Sequence, residues 1–430
     1  MNPLAIALIV FTILLFLGMP VIFVMAFSSV IYCLVADKLL FLMVVVEKMF
    51  RGMDSFVLLA IPLFIMCGEV MNCGGITRAI VRLCNLLVGR LRGGLAYVNV
   101  LDSTFFAGIT GSALSDIASL GSIMIPAMEE QGYDKDFSCA VTAATAIQGP
   151  LIPPSIPAVL VASATGLSTG ALFWGGAVPG VMIGIGCAII IFFMSRMRNF
   201  PKREEYIGFV EGVKIIIASI IPLMTIGIIM IGINSGYFTP TEAAVIALAY
   251  AILITATLYG GLSFKKIIEI TRTSLLQTST IYLIIAGATC FSYVLAIENI
   301  PSKLAVLINS FATSQVSVLI IINLILLVWG MFMDTSPSIL VLVPILYPVA
   351  AQAGIHPIHF GVIVVTNLMI GLLTPPFGMA LYTTRSVGKC EMLPLIKAIL
   401  PFIIMNMIVL GLITFVPEIV LFLPRVFGFI

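Results

Sequence analysis

The stretches GPLIPPS (149–155) and GLLTPPFG (371–378) each place two adjacent prolines inside a long apolar run. Proline removes a helical hydrogen bond and clashes with the carbonyl four residues before it, so two in succession break a helix. The two stretches lie 222 residues apart, and at that spacing Gly108 also falls on Gly330. Shared Gly and Pro positions indicate two related halves of the chain, because both residue types have special backbone roles.

Composition places the chain in a membrane. Of its 430 residues 61% are hydrophobic and 9% are charged, with a mean hydropathy of +1.22. Soluble domains carry roughly 25% charged residues, so this chain could not bury its apolar surface in its own core. Long uninterrupted apolar runs favour membrane helices over the alternating segments of a β-barrel. We therefore predict an all-α polytopic membrane protein in contact with lipid.

The net charge of +2 says little about partners, and we predict no nucleic-acid partner.

The repeated spacing divides the chain into two repeats of inverted topology and the scaffold around them. We predict the following segments: N-terminal scaffold helices at 1–54, repeat 1 at 55–195, a linker with scaffold helices at 196–276, repeat 2 at 277–420, and a C-terminal tail at 421–430.

Within each repeat, an apolar segment interrupted by polar residues precedes the broken helix. The two segments are FFAGITGSALSDIASLGSIMIP (105–126) and WGMFMDTSPSILVLVPILYP (329–348). Each arm is about half a membrane crossing long, which favours a re-entrant helical hairpin. The predicted hairpin tips are 110–116 and 332–338, and the predicted broken helices are 140–167 and 360–383.

A broken membrane helix exposes peptide carbonyls and the partial charges of half-helix ends. Carbonyls suit a hard cation such as Na⁺, helix N-termini suit an anion, and paired breaks in two halves are typical of a transporter site. The alternative is that the prolines only kink helices for packing. We predict two or more Na⁺ sites built mainly from backbone. The ligands would be Gly108, Gly149, Ile152 and Ser155 in repeat 1, and Gly330, Gly371, Thr374 and Phe377 in repeat 2.

Polar side chains at the tips and breaks are the candidates for solute binding. Asp334 is the strongest, because an ionisable group in an apolar run is costly and is a functional candidate by default. Asp334 could instead cap the second arm of its hairpin, and the serines could bond their own backbone. The predicted solute-binding residues are Ser112, Ser115, Ser155, Asp334, Ser336 and Asn367.

Two further motifs indicate structural roles. Thr239 and Glu242 form the pattern of a capping box, with Pro240 at the first helical position. His356 and His359 have a spacing that metal ligands use, but they flank a proline after Gly354, and we predict an interfacial loop.

Five motifs together resemble the large membrane subunit of tripartite ATP-independent periplasmic (TRAP) transporters. They are GSALSDIASLGSIMIPAM (111–128), IQGPLIPPSIP (147–157), GYFTPTEAAV (236–245), GMFMDTSPSILVLVPILYP (330–348) and IGLLTPPFGMALY (370–382). The resemblance covers nearly the whole chain. It implies a bacterial inner-membrane protein that imports a carboxylate solute, of the sialic acid or C4-dicarboxylate type, by an Na⁺-driven elevator movement.

The resemblance also implies partners and site residues. A periplasmic binding protein would deliver the solute, and a small four-helix membrane subunit would pack against this chain. The sodium sites of the family match the broken-helix positions, and its solute contacts map onto Ser112, Ser155 and Asp334. Unlike a simple carboxylate site, neither tip has an arginine, since Arg385 lies beyond the second break. We favour sialic acid because hydroxyl-rich tips suit a polyhydroxylated anion.

Two other functions stay open at this point. The chain could be a self-sufficient Na⁺/carboxylate symporter, which would transport without a binding protein. An intramembrane enzyme would need a catalytic pair at one depth, such as Asp116 with Asp334. The chain has no GxxxxGK[ST] phosphate loop, so the energy for transport would come from an ion gradient. We predict a transporter and not an enzyme.

Overall fold

The computed structural model describes residues 3–38, 40–73, 75–202, 208–260, 262–311 and 314–430, apart from the side chains of 40, 106–110 and 309. Throughout this part of the chain the regular structure is helical, which confirms the all-α prediction. The first ten helices are α1 Pro3–Phe16, α2 Val21–Val35, α3 Leu40–Met53, α4 Ala60–Cys73, α5 Ile76–Val88, α6 Gly94–Thr110, α7 Ala113–Glu130, α8 Lys135–Ala146, α9 Ile156–Thr165 and α10 Thr169–Met197. The next ten are α11 Phe209–Asn234, α12 Pro240–Thr257, α13 Phe264–Ile297, α14 Ile300–Phe311, α15 Gln315–Gly330, α16 Thr335–Gln352, α17 Pro357–Leu373, α18 Met379–Gly388, α19 Met392–Phe415 and α20 Glu418–Val426.

Many of these helices are suited to a bilayer. Among the described residues, seven are long and apolar enough to cross a membrane, or eight if one bent pair counts as a single span. That bent pair joins Lys135–Leu151 to Ile156–Thr165 at an angle of 41°, across the first double proline. The prediction of a polytopic membrane protein is thereby confirmed. The LGMP sequence (17–20) separates α1 from α2 and does not merely kink one helix.

The helix boundaries follow the spacing of 222 residues. Helices α7 and α16 begin at Ala113 and Thr335, and each pair of ends keeps the same separation. The turn that follows each of them contains a glycine in the left-handed region, Gly132 with φ +87° and Gly354 with φ +75°. A side chain with a Cβ would be strained there, which explains why the repeat retains glycine at both positions.

The two repeats are interlocked. In the first repeat α6 and α7 are the arms of a hairpin, and α8 and α9 are the halves of the broken helix; α15 to α18 have the same order in the second. Helix α7 packs against α18, and α16 packs against α9. The second arm of each hairpin therefore contacts the C-terminal half of the broken helix that belongs to the other repeat. This exchange brings both hairpin tips and both breaks into one region.

The start of α12 has the predicted capping box. The Thr239 side chain accepts a hydrogen bond from the Glu242 N–H at 3.3 Å, and Glu242 accepts one from the Thr239 N–H at 2.8 Å. Pro240 is the first helical residue. The local sequence was sufficient here because all the partners lie within four residues.

The prediction of an interfacial loop at the two histidines is wrong for His359. Helix α17 begins at Pro357, so His356 is its N-cap and accepts a hydrogen bond from the Ile358 N–H. His359 is buried in the first turn, and its Nε2 lies 2.7 Å from the Ile413 carbonyl of α19. The loop interpretation failed because proline at the first helical position is compatible with a helix start.

Candidate solute site at the hairpin tips

A cavity of about 720 Å³ lies where the two hairpin tips face α4 and α13. These two helices are grouped with the scaffold from here on, although α4 and residues 277–297 of α13 fall within the predicted repeats. Four predicted solute-binding residues line it: Ser112 and Ser115 from the first tip, and Asp334 and Ser336 from the second. The opposite wall comes from α4 and α13. The structure thus brings together residues that are more than 200 positions apart in the sequence.

Three helices begin at this cavity. Helix α7 begins after Ser112, whose Oγ accepts a long hydrogen bond of 3.5 Å from the Ser115 N–H. Ile156, the first residue of α9, and Thr335, the first residue of α16, also line the wall. Helix N-termini carry partial positive charge and backbone N–H groups without helical partners. The cavity can therefore attract an anion even though the wall, over its described residues, has no Lys, Arg or His.

Asp334 is the N-cap residue of α16, but it does not act as an ordinary cap. Its side chain makes no capping hydrogen bond at the start of α16. The residue is half-buried and lines the cavity. Its carboxylate can therefore contact a ligand without abandoning a capping interaction.

Ser155 and Asn367 lie away from this cavity. Ser155 Oγ accepts a hydrogen bond from the Ala158 N–H at 3.1 Å and donates one to the Pro150 carbonyl. Asn367 is fully buried in α17, where its amide donates to Oδ1 of Asn323 at 2.7 Å. Ser155 bonds within the first break and Asn367 joins α17 to the hairpin arm α15, so neither is carried into the proposed solute pocket.

The second break is backed by a very close approach of two glycines. A Cβ placed on Gly371 would lie 2.7 Å from Cα of Gly330, so only glycine fits at this crossing of α15 and α17. Thr374 follows three residues later and donates from Oγ1 to the Ile370 carbonyl at 2.8 Å. The Phe377 ring is half-exposed and lies 5.1 Å from the Phe332 ring. The predicted cation ligands of repeat 2 therefore lie in the last turn of α17 (Gly371), in the segment between α17 and α18 (Thr374 and Phe377), and at the end of α15 (Gly330).

The first break has a similar layout. Gly149 begins a turn of 3₁₀ helix, and its carbonyl accepts a hydrogen bond from the Ile152 N–H at 3.0 Å, which leaves a second lone pair available. Gly111, at the hairpin tip, has φ +62°, and a Cβ there would come within 3.2 Å of the Ile156 nitrogen. Tip and break are thus in close backbone contact. Gly108 lies outside the residues whose surroundings the structure describes.

Sequence reasoning missed the scaffold wall of the cavity. Glu69 and Asn72 of α4, with Gln277 and Thr280 of α13, supply its polar groups. Gln277 Nε2 lies 3.4 Å from Glu69 Oε1. The available signal was Glu69 itself, an ionisable residue in the apolar run AIPLFIMCGEVMNC (60–73).

The chemistry of these side chains favours oxygen ligands. Within the described part of the chain, no group of three or more His, Cys, Asp or Glu could hold a metal ion. Carbonyls, hydroxyls and single carboxylates predominate, and they suit a hard monovalent cation and a polar organic anion better than a transition metal.

Comparison with known proteins is consistent with this architecture. The family model described as "Tripartite ATP-independent periplasmic transporter, DctM component" matches residues 8–419. The sialic acid TRAP transporter large permease protein SiaM of Vibrio cholerae is 38% identical over 96% of each chain. The C4-dicarboxylate TRAP transporter large permease protein DctM of Pseudomonas aeruginosa is 36% identical over 89% of each chain.

Two further comparisons concern length and fold. The sialic acid TRAP transporter permease protein SiaT of Haemophilus influenzae is 36% identical over 98% of this chain, but the match covers 68% of SiaT. The crystal structure of the YdaH transporter of Alcanivorax borkumensis superposes with a TM-score of 0.61 over 88% of each chain at 13% identity. At that identity the likeness establishes a shared fold alone.

Proposed function

Because the chain belongs to the DctM family of tripartite ATP-independent periplasmic transporters, as its motifs predicted, we propose that it imports a carboxylate solute by an Na⁺-driven movement. It is a multi-pass protein of the bacterial inner membrane. The observation that carries the proposal is the cavity at which three helix N-termini, the three predicted serines Ser112, Ser115 and Ser336, and Asp334 meet.

The anionic end of the solute would lie at the helix N-termini. The first residues of α7, α9 and α16, Ala113, Ile156 and Thr335, all line the cavity. Backbone N–H groups at a helix N-terminus bind carboxylates without a basic side chain. This arrangement offers a physical reason why the tips need no arginine.

The acidic residues of the cavity favour an accompanying cation. A solute carboxylate would share the cavity with Asp334 and Glu69, with no basic residue among those described, and a bound cation would offset the repulsion. The carbonyls of Gly149 and Ile152, with Ser155, would hold one Na⁺. Those of Gly330, Gly371, Thr374 and Phe377 would hold another, with Gly108 as a further candidate in repeat 1. The Gly330–Gly371 approach supports this, because backbone oxygens can converge only where no Cβ intervenes.

The position of the cavity supports an elevator movement. Its two walls belong to different parts of the fold: the hairpin tips on one side, and α4 and α13 on the other. In an elevator the hairpin domain slides against the scaffold and carries the solute across. A pocket between the two bodies is where solute would enter and leave.

The partners are proposed from the family and from relative length. A periplasmic binding protein would deliver the solute, and a small membrane subunit would complete the complex. SiaT of Haemophilus influenzae is a single chain about half as long again as the matched region, which leaves room for such a subunit. The sialic acid preference is supported by Ser112, Ser115 and Ser336, which are hydroxyl-bearing, and by the name of the Vibrio cholerae relative.

The test is uptake into proteoliposomes that contain the chain with its small subunit. Labelled N-acetylneuraminate and labelled succinate are offered with candidate binding proteins, with and without an inward Na⁺ gradient. We expect accumulation of one of them that needs both the gradient and the binding protein. Uptake by the chain alone would favour the self-sufficient symporter, and uptake that ignores Na⁺ would contradict the proposed coupling.

A further inference from the structure

Asp102 is a buried carboxylate that the solute site does not use. It lies in α6, the first arm of hairpin 1, and has no exposed surface. Neither carboxylate oxygen has a hydrogen-bond partner among the described residues. The surrounding sequence YVNVLDSTFF (97–106) is otherwise mainly apolar. A fully buried carboxylate whose oxygens have no hydrogen-bond partner among the described residues requires a physical explanation.

The polar neighbours of Asp102 on α6 already have partners. Asn99 Nδ2 donates to Thr142 Oγ1 at 2.7 Å, and Ser103 Oγ donates to Thr145 Oγ1 at 3.0 Å. These contacts join α6 to α8. Asp102 takes no part in them, so the polar cluster at the α6–α8 interface does not compensate its charge.

The electrostatic surroundings of Asp102 are acidic. Within the described residues, the titratable groups that interact with it are Asp116 of α7 and the Cys84 thiol of α5. Helices α4, α8, α10 and α11 also pack on α6 and contribute no such group. No lysine, arginine or histidine among the described residues therefore offsets a negative charge on Asp102.

We propose that Asp102 is a proton-binding site, which carries a proton in the conformation described here. Burying an unpaired carboxylate costs far more free energy than burying the neutral carboxylic acid, so Asp102 keeps its proton. Deprotonation breaks the carboxyl O–H bond and transfers the proton to water, which leaves a carboxylate. That step needs water to reach the side chain, so it requires α6 to separate from its neighbours.

This assignment has a consequence for hairpin 1. Helix α6 is continuous with the tip that carries Ser112, so a rearrangement that wets Asp102 also moves the tip. Binding and release of the proton would then accompany hairpin movement. The assignment of the proton itself does not depend on the proposed transport function.

Infrared spectroscopy of the purified full-length chain tests the proposal directly. The protonated carboxyl group has a C=O stretch that a carboxylate lacks. We expect the difference spectrum, wild type minus Asp102→Asn at neutral pH, to show the loss of one carboxylic C=O band. The matched control is Asp37→Asn: Asp37 is exposed and has φ 53°, a conformation that asparagine tolerates. This control should lose a carboxylate band instead.

The infrared difference spectrum distinguishes a protonated Asp102 from an ionised one. Loss of a carboxylate band in the Asp102→Asn spectrum, with or without dependence on Na⁺, would overturn the proposal and indicate an ionised side chain that binds a cation. If the Asn variant does not accumulate, Asp102→Ser supplies the same difference spectrum with a smaller neutral side chain. Because neither readout needs solute or uptake, failure of the transport proposal would leave the result interpretable.

Discussion

At the scale of single residues, Asp334 is the side chain on which the proposed pocket depends most. It lines the cavity from the N-cap position of α16 and makes no capping hydrogen bond with its side chain. Removing its charge should therefore affect the ligand and leave the helix start intact. This separation of roles makes the residue suitable for a functional test.

Asp334→Asn should reduce uptake by about 10- to 100-fold, since a hydrogen bond to a charged group contributes about 1.5–3 kcal/mol. The melting temperature in detergent should stay unchanged. Uptake and thermal unfolding are measured on the same preparation, with Asp54→Asn as an exposed control. Wild-type uptake by the Asp334 variant would remove this residue from the site.

At the scale of elements, α10 supports the first break through a row of glycines. A Cβ on Gly176 would lie 2.5 Å from the Leu151 carbonyl oxygen, and one on Gly180 would lie 2.6 Å from Cγ1 of Ile152. Gly184 continues the row one turn later, where a Cβ would meet the Gln148 side chain at 2.5 Å. The spacing of four residues puts all three on one helix face, so α10 can contact the unwound backbone directly.

Gly176→Ala should therefore destabilise the protein by about 1–3 kcal/mol, the usual cost of overpacking. It should also weaken Na⁺-dependent uptake, because the carbonyl it displaces belongs to the break. Gly227→Ala in α11 is the matched control, since a Cβ there meets nothing within 4 Å. That change should be neutral or stabilising by up to about 1 kcal/mol. The melting temperatures of the two variants are measured by thermal unfolding. Equal melting temperatures would contradict the proposed contact between Gly176 and the Leu151 carbonyl.

Elements also show what the sequence could and could not predict. The hairpins, the breaks and the capping box at Thr239 were predictable because each depends on local backbone chemistry, with the repeat as a check. The packing of α7 on α18 and of α16 on α9 was not, because a repeat shows which parts correspond and not which ones touch. Glu69 was overlooked for the same reason: its importance appears only when α4 faces the tips.

At the scale of the whole molecule, the cavity joins two bodies that an elevator would move apart. Ser115 belongs to the hairpin domain and Thr280 to the scaffold, and both line the cavity in this conformation. If the hairpin domain slides across the membrane, Ser115 should be reachable from opposite sides in the two end states. Thr280 should stay at a fixed depth, since α13 belongs to the scaffold.

A cysteine introduced at Ser115 can detect this movement. Ser115→Cys is made in a background in which Cys73 and Cys390, the native cysteines that are not fully buried, are serine. A membrane-impermeant maleimide is then applied from one side of oriented proteoliposomes, with Na⁺ and binding protein either present or absent. We expect the accessible side of Ser115→Cys to change between these conditions, while Thr280→Cys, the scaffold control, reacts from the same side in both. Reaction of Ser115→Cys from one side under every condition would contradict the elevator and favour local gating of a fixed pocket, because a tip that never crosses the membrane cannot carry solute through it.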